Sequence, residues 1–458
     1  MKIVVCVRPG ADGEIGPFDA AALECALRVP GAEAELLSMA PPKGAEVLLR
    51  LTRLGAKHAY LLSDPAFAGS DTLATSYVLS LALKRLKPDL VLCGRKTLEG
   101  DTGQVGAELA ERCGFSLAAE VLEILGEDGG GVRVRTREND EKRVTYPALL
   151  CMERVAALRF PGIFSKPGDV TVWNAADLGA DVSRCGNTGS PTRVLYAREN
   201  ARDRRKCRFI SPAELDGVIR TALKKGRAAP TVERAGDLPG IYCVGERARA
   251  AAGAVSGCVQ VLEPEPAAAL AEKIRERNPT AVFFDTAPKS RELAARLAVL
   301  LETGLCADCT ALEVREGQLV MVRPAFAGDK IAGIVCRTRP ALATLRTEDT
   351  TAGELIFTLG MGAKPYRARL TRLAERYGAE LGATRAAVDD GWMPYPAQIG
   401  LTGRSVAPAV YVAFGVSGAV HHIAGMKSAG TVIAVNRDKS APIFDYADYG
   451  IIADLETL

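Results

Sequence analysis

The stretches KPDLVLCG (87–94) and GAELAERCGFSLAAEVLEI (106–124) decide the fold, because their pattern returns as RNPTAVFFD (277–285) and ELAARLAVLLETGLCADCTALEV (292–314). Each copy reads as a helix end, a proline, a buried strand, an amphipathic helix and a glycine turn into an extended segment. A Gly-rich hairpin and a second β run follow both times, GGGVRVRTREN (129–139) and EGQLVMVRPAFAG (316–328). Two α/β domains of common design are therefore expected. Their loops differ. GDTGQVG (100–106) follows the strand in the first copy, whereas APKSREL (287–293) in the second has no glycines and no Asp-Thr pair to hold a phosphate.

Working outward, KIVVCV (2–7), AELLSM (34–39), HAYLLS (58–63) and DLVLCG (89–94) read as buried parallel strands. Apolar residues recur at helical spacing between them, so the N-terminal region is a strand–helix alternation. The stretch 160–236 is weakly patterned. DLGADVSRCGNTGSPTRV (177–194) and ARENARDRRKCR (197–208) read as an extended arm, and SPAELDGVIRTALKKG (211–226) as a short helix with a serine N-cap and proline at its first position. From about 350, ELIFTLG, RARLTRLAERYG, VYVAFG, TVIAVN and YGIIAD make another open sheet. The expected class is α/β with three open, mostly parallel sheets. The expected divisions are a nucleotide-site domain over 1–189, an arm over 190–236, a shortened α/β domain over 237–349 and a cofactor-binding domain over 350–458.

Composition excludes several functions. The 458 residues carry 48% hydrophobic and 25% charged residues and a net charge of +3, too close to neutral for a nucleic-acid binder. The arginine cluster at 198–208 has no aromatic platform and reads as solvated. No apolar run reaches the length of a membrane span, and MKIVVCVRPG is a strand and turn, not a signal peptide, so a cytoplasmic setting is expected. Most of the twelve cysteines fall in apolar strand patterns. Cys306-Ala-Asp-Cys309 has redox or zinc spacing. Zinc would need two further ligands, and His58, His421 and His422 are remote in sequence, so no metal site is expected. Two structural thiols are the preferred reading, with a dithiol switch as the alternative.

The chemistry concentrates at strand ends. In VYVAFGVSGAVHHIAGM (410–426) a strand runs into Gly415-Val416-Ser417-Gly418 and then a helix, a turn whose N–H groups suit a phosphate. Asn436 ends TVIAVN and Asp454 ends YGIIAD, where a doubly wound sheet places ligands; Asn436 suits an adenosine edge and Asp454 a ribose hydroxyl. In the first domain, the run Asp101-Thr102-Gly103-Gln104-Val105 opens a helix and presents amides and a hydroxyl to a phosphate. Asp71-Thr72 opens another and has either that role or that of a plain N-cap.

PAQIGLTGRSVAPAVYVAFGVSGAVHHIAGMKSAGTVIAVNRDKSAPIFDYADYGIIADL (396–455), with GATRAAVDDGW (382–392) before it, resembles the FAD-binding domain of the electron transfer flavoprotein α subunit. LSMAPPKGAEVLLRLTRLGAKHAYLLSD (37–64), FAGSDTLATSY (67–77), CGRKTLEGDTGQVGAEL (93–109) and GSPTRV (189–194) are similar to its β subunit, so nearly the whole chain is covered in β-then-α order. The resemblance implies an electron carrier that binds FAD. Arg385 would lie over the flavin ring and stabilise negative charge on it, Thr402 and its neighbour Gly403 would meet the ring near N5, and His422 would face the C2 carbonyl. Gly415, Ser417 and Gly418 would take the pyrophosphate, and Asn436 and Asp454 the adenosine. It also implies a second nucleotide in the first domain, AMP in some members and a second FAD, reduced by NADH, in electron-bifurcating ones; the wording of 67–77 and 100–106 is nearer the second type. Partners would be a flavoprotein dehydrogenase or another redox protein, met through a β-subunit loop that corresponds to LRFPGIFSKPGDV (158–170), which keeps an apolar Phe160 but only Lys166 near it. The chain departs from the family at Leu401, where a second glutamine is usual, and at Met361, where an arginine is usual. A nucleotide-binding subunit without redox activity is the competing expectation.

Overall fold

The computed structural model describes every residue except 11, 98, 138–139, 154–157, 200–204, 226–234, 327–329, 347–352, 401–402, 405 and 458. Thr402 and Leu401 thus lie outside the described residues. The chain forms two compact units. The first takes Met1–Arg198, Val232–Phe326 and Lys330–Thr347, and the second Glu199–Thr231 with Glu348–Leu458.

In the first unit, strands β1 (Lys2–Cys6), β2 (Glu33–Met39), β3 (His58–Leu62), β4 (Leu90–Gly94), β5 (Ser116–Glu127), β6 (Gly131–Thr136), β7 (Glu141–Thr145), β8 (Ala148–Met152) and β9 (Asp169–Trp173) form one sheet in the order β7-β6-β5-β8-β4-β1-β2-β3-β9. Helices α1 (Pro17–Arg28), α2 (Gly44–Thr52), α3 (Thr72–Leu86) and α4 (Val105–Cys113) connect its parallel strands. The central strands are apolar on both faces, as a parallel sheet covered on both sides requires. Ile3 and Val5 point into one core and Val4 into the other, all three fully buried.

The repeat read from the sequence is present in the topology. After β10 (Thr192–Glu199) and β11 (Arg208–Phe209) come β12 (Ile241–Val244), β13 (Val259–Leu262), β14 (Ala281–Phe284), β15 (Leu305–Cys309), β16 (Ala311–Arg315), β17 (Gln318–Ala325), β18 (Lys330–Cys336) and β19 (Ala341–Leu345). The order β13-β12-β14-β19-β15 repeats β2-β1-β4-β8-β5 of the first copy, strand for strand. Even a bulge is shared. Between Ala118 and Val121, β5 spends three residues where its partner β8 spends two, and β15 does the same against β19 between Cys306 and Cys309. The added residue is left-handed both times, Glu120 at φ 56° and Asp308 at φ 56°. The two copies also share a core. Leu73 of α3 and Ala107 of α4 pack with Ala294, Leu297 and Ala298 of the helix Pro288–Leu301.

The segment read as an arm is distributed between the units. β10 is the edge of a four-stranded sheet, β10-β18-β17-β16, whereas β11 pairs with the second unit's last strand. The helix expected over 211–226 is a 3-10 turn, Pro212–Glu214, running into an α-helix, Leu215–Lys225. Its capping box is Ser211 with Glu214, and Leu215, Ile219 and Ala222 are its buried face. In the second unit β20 (Leu355–Leu359), β21 (Glu380–Ala383), β22 (Val410–Phe414), β23 (Thr431–Asn436) and β24 (Tyr449–Ile452) make an all-parallel sheet in the order β11-β24-β23-β22-β20-β21.

Leu297→Ala tests the core shared by the two copies. Leu297 is fully buried, so removal should cost ~2–5 kcal/mol. Denaturant unfolding that shifts by under ~1 kcal/mol would mean that the helix does not carry that core.

Candidate functional site

In the second unit the chain runs from β20 outward to β21, then returns to β22 and outward the other way, so the strand order reverses between β20 and β22. Ligands of open parallel sheets bind outside the strand carboxyl ends at such a reversal. The sequence candidates gather on that edge: Arg385 after β21, Gly415 to Gly418 after β22, Asn436 at the end of β23 and Asp454 after β24.

The turns after β20 and β22 are pinched together. A Cβ on Gly360 would stand 2.2 Å from the Gly415 carbonyl oxygen, and Gly415 itself has φ 61°. Gly418 has φ 91°, and a Cβ there would stand 2.2 Å from the Ile443 nitrogen. Asn436 holds this turn rather than pointing away from it, since its Nδ2 donates to the Val416 carbonyl at 2.9 Å and its Oδ1 accepts the Asp438 N–H at 3.0 Å. Ser417 is exposed, and among the described residues the Val416, Ser417 and Gly418 N–H groups meet no protein acceptor. Three unspent N–H groups on a glycine-shaped turn fit a pyrophosphate. The following helix, Val420–Met426, is short, so the turn and not a helix dipole supplies the site.

The other candidates divide. Arg385 begins a short helix, is half-exposed, and pairs with Asp389 at 3.1 Å. Gly403 closes the loop 398–404 with an N–H to the Gly400 carbonyl at 3.0 Å. Asp454 is exposed and accepts the Glu456 N–H at 3.0 Å; that bond and the Tyr366 hydroxyl hold its carboxyl below the ordinary range. His422 differs from what the resemblance implies. Its Nδ1 lies 3.0 Å from the Ile399 carbonyl, which can only accept, so Nδ1 carries the proton and Nε2 accepts from the Tyr411 hydroxyl at 2.9 Å. Burial holds its pKa down to about 4, against the pull of the Ile399 bond. His422 is a neutral brace for the loop, with no spare donor for a flavin carbonyl in this arrangement.

In the first unit the strand order reverses between β1 and β4. There α1 brings Asp19 against Gly94, where a Cβ would stand 2.4 Å from the Asp19 carboxylate. Asp19 accepts the Arg8 N–H at 2.8 Å, and burial raises its pKa to about 7 despite that bond and the Arg8 charge. The loop from β4 to α4 is clamped on two sides. Lys96 pairs with Asp101 at 2.5 Å, and Arg323 of β17 donates to the Gly100 and Asp101 carbonyls at 2.8 and 2.9 Å. Thr102 is half-buried and Gly103 exposed; Val105 begins α4 with no side-chain cap above it. Gln104 is 5% exposed, and its Nε2 has no partner among the described residues. Asp71 and Thr72 are spent internally. Asp71 caps α3 through the Ala74 N–H and accepts both the N–H and hydroxyl of Thr192, while the Thr72 hydroxyl lies 3.1 Å from Gln104 Oε1 and 2.9 Å from Glu108 Oε1. Asp71 is the N-cap of α3 and Thr72 its first residue. Buried Glu108, whose pKa burial lifts to about 7, completes this group.

Beside the loop, the two left-handed bulge carboxylates meet a set of cations. Burial raises the Asp308 carboxyl, but Arg346, Arg291 and Lys96 together hold it below the ordinary range. Glu120 is raised by burial and by Glu153, opposed by Arg95, Arg137 and Arg291. Sequence reasoning missed Asp19, Glu108, Arg291 and Arg323. Only Asp19, directly after Pro17-Phe18 at a helix start, left any local signal.

Together the two sheets define a protein of the nucleotide-binding α/β class, with a glycine turn at the strand-order reversal of each unit. The family model "Electron transfer flavoprotein domain" matches residues 3–178 and again 260–369, and "Electron transfer flavoprotein FAD-binding domain" matches 350–427. The electron transfer flavoprotein subunit alpha of Thermoanaerobacterium thermosaccharolyticum is 35% identical over 235 residues, covering 41% of this chain and 71% of that protein. The caffeyl-CoA reductase-Etf complex subunit CarD of Acetobacterium woodii is 37% identical over 208 residues, 42% of this chain and 79% of its own. Protein FixA of Azorhizobium caulinodans is 34% identical over 241 residues, 48% and 86% respectively. The chain belongs to the electron transfer flavoprotein family, and it is an FAD-binding electron carrier. No helix among the described residues is long and apolar enough to cross a membrane.

The buried imidazole predicts a pH dependence. The His422 pKa falls from 6.5 to about 4 on folding, so its stabilisation is complete above pH ~6.5 and is lost as pH falls toward 4, by up to roughly 3 kcal/mol. His422→Gln should flatten the unfolding free energy of the second unit between pH 7 and 4.5. Equal acid sensitivity in the variant would place the titrating group elsewhere.

Proposed function

We propose that the chain joins both halves of an electron transfer flavoprotein in one polypeptide, β-type first and α-type second, and holds two nucleotides. Support for the joined reading comes from the two matches to one domain model and from relatives named both FixA and subunit alpha. FAD, when bound, takes up a pair of electrons and returns them singly. In the second unit the 415–418 turn holds its pyrophosphate, Asn436 positions that turn, Asp454 takes the adenosine, and Arg385 supplies positive charge by the ring with Thr402 and Gly403 beside it. His422 acts through the loop it braces.

The second nucleotide sits at 100–105 in the first unit, and the observation that carries it is the orphaned Gln104 Nε2 beside a loop clamped on both flanks. A buried donor without an acceptor costs about 1–3 kcal/mol, which a phosphate or ribose oxygen offsets. We assign FAD here, with NADH as donor, because 67–77 and 100–106 follow the bifurcating type; AMP in this place would make the chain a simple relay. The acceptor is a redox protein of the dehydrogenase or reductase kind, as the name of the Acetobacterium relative suggests. It docks on Phe160, Ile163 and Phe164, which are 93%, 90% and 94% exposed. The setting is the cytoplasm.

Two measurements test this. Denaturing a known amount of reconstituted protein should release two FAD per chain, and NADH should bleach the native flavin. One FAD with one AMP, and no bleaching, would leave the relay, and no flavin at all would favour the non-redox subunit. Arg385→Ala should lower the flavin's reduction potential by an amount equivalent to ~1.5 kcal/mol, the low end for a charge-assisted contact because the guanidinium is half-exposed. An unchanged potential by spectroelectrochemistry would remove Arg385 from the ring.

A further inference from the structure

Cys306 and Cys309 lie three apart in a strand, where regular alternation would send their side chains to opposite faces. The bulge in β15 reverses this. Cys306 pairs with Ala343 and Cys309 with Leu345, so three steps of β15 match two steps of β19, and both thiols enter the same core. Two strand steps span about 6.6 Å, inside the range of about 4.4–6.8 Å between Cα atoms that a disulfide bridges. The Cys309 thiol donates to the Cys306 carbonyl at 3.6 Å. The first copy has the same bulge with Ala118 and Val121 in these places, so the fold demands the bulge but not the sulfur. No other ligand for a metal joins them, since no group of three or more His, Cys, Asp or Glu with metal geometry occurs among the described residues.

We infer that Cys306 and Cys309 form a redox-active dithiol that hydrogen peroxide closes to a disulfide. Cys306 is the attacking sulfur. Cys309 beside it and Arg323, 7% exposed and on the same strand face as Leu319 and Met321 of that core, favour its thiolate; these outweigh burial and hold its thiol below the ordinary value, while burial raises that of Cys309. The thiolate takes one oxygen of the peroxide, leaving a sulfenic acid and hydroxide. The Cys309 sulfur then attacks the sulfenic sulfur, the S–S bond forms, and water leaves with the thiol proton. Two electrons pass from the pair to the peroxide. The thiols are 3% and 2% exposed, which keeps bulky disulfides out and selects an oxidant as small as peroxide.

The test uses the full folded chain. Peroxide, then thiol blocking and trypsin, should give the peptide 297–315, which contains these two cysteines alone, two hydrogens lighter and unblocked until reduced. In Cys309→Ser, dimedone should trap a sulfenic acid at Cys306; in Cys306→Ser, Cys309 should stay unmodified. A peptide 297–315 blocked on both sulfurs, at a peroxide dose that oxidises the exposed Cys258, would overturn the proposal. Equal dimedone trapping at Cys309 in Cys306→Ser would overturn the assigned order of attack.

Discussion

Arg323 makes two hydrogen bonds on which the first unit's chemistry depends. Its guanidinium reaches from β17 of one copy to the Gly100 and Asp101 carbonyls of the other, and is almost wholly buried there. Carbonyl oxygens left bare in such a place would each cost about 1–3 kcal/mol, so the loop has few alternative positions. With its carbonyls held by Arg323 and the Asp101 N–H held by the Thr97 carbonyl at 3.0 Å, the start of the loop is fixed on both sides of its backbone. The second copy, whose corresponding loop has no glycines, supports the loop of the first through Arg323. Its bulge carboxylate Asp308 serves the same end, because it draws Lys96, Arg291 and Arg346 to the loop's flank.

This division of work explains what could be read from the sequence. The repeat, the strands and the two glycine turns were legible because they are local: hydrophobic period, glycine and proline punctuation, and capping residues lie within a few positions of what they determine. The capping box at Ser211 and Glu214 is such a case. Arg323 and Arg291 were not legible. Arg323 sits in an apolar strand run where an arginine reads as an edge residue, and its partners are more than two hundred positions away. The bulge at Cys306 was equally hidden, since nothing in the string LCADC tells that Asp308 takes a left-handed conformation and aligns the flanking sulfurs.

The candidate site of the second unit was legible in position and less so in role. Arg385, the 415–418 turn, Asn436 and Asp454 lie along one sheet edge, yet Asn436 turns inward to hold the Val416 carbonyl, and His422 spends both ring nitrogens on the protein. A polar residue at a strand end has the same signature in sequence whether it holds a ligand or holds the turn that does. Only the hydrogen-bond partners distinguish them.

That distinction has an electrostatic consequence. A carrier that must accumulate negative charge on a bound ring needs a positive or donating group near it. Burial keeps His422 uncharged down to about pH 4, so at neutral pH it adds no cation to the edge. Met361 brings no charge to the turn after β20, so in the proposed site the positive charge falls to Arg385. Arg385 is half-exposed and shared with Asp389, so its field is screened by water and by a carboxylate four residues on. In the proposed arrangement, where the glycine turn meets the pyrophosphate and Arg385 the ring, one screened cation stabilises an anionic ring less than two enclosed cations would. A flavin placed there as proposed meets a weaker positive field than an enclosed cation would give it, which lowers its pull on an electron.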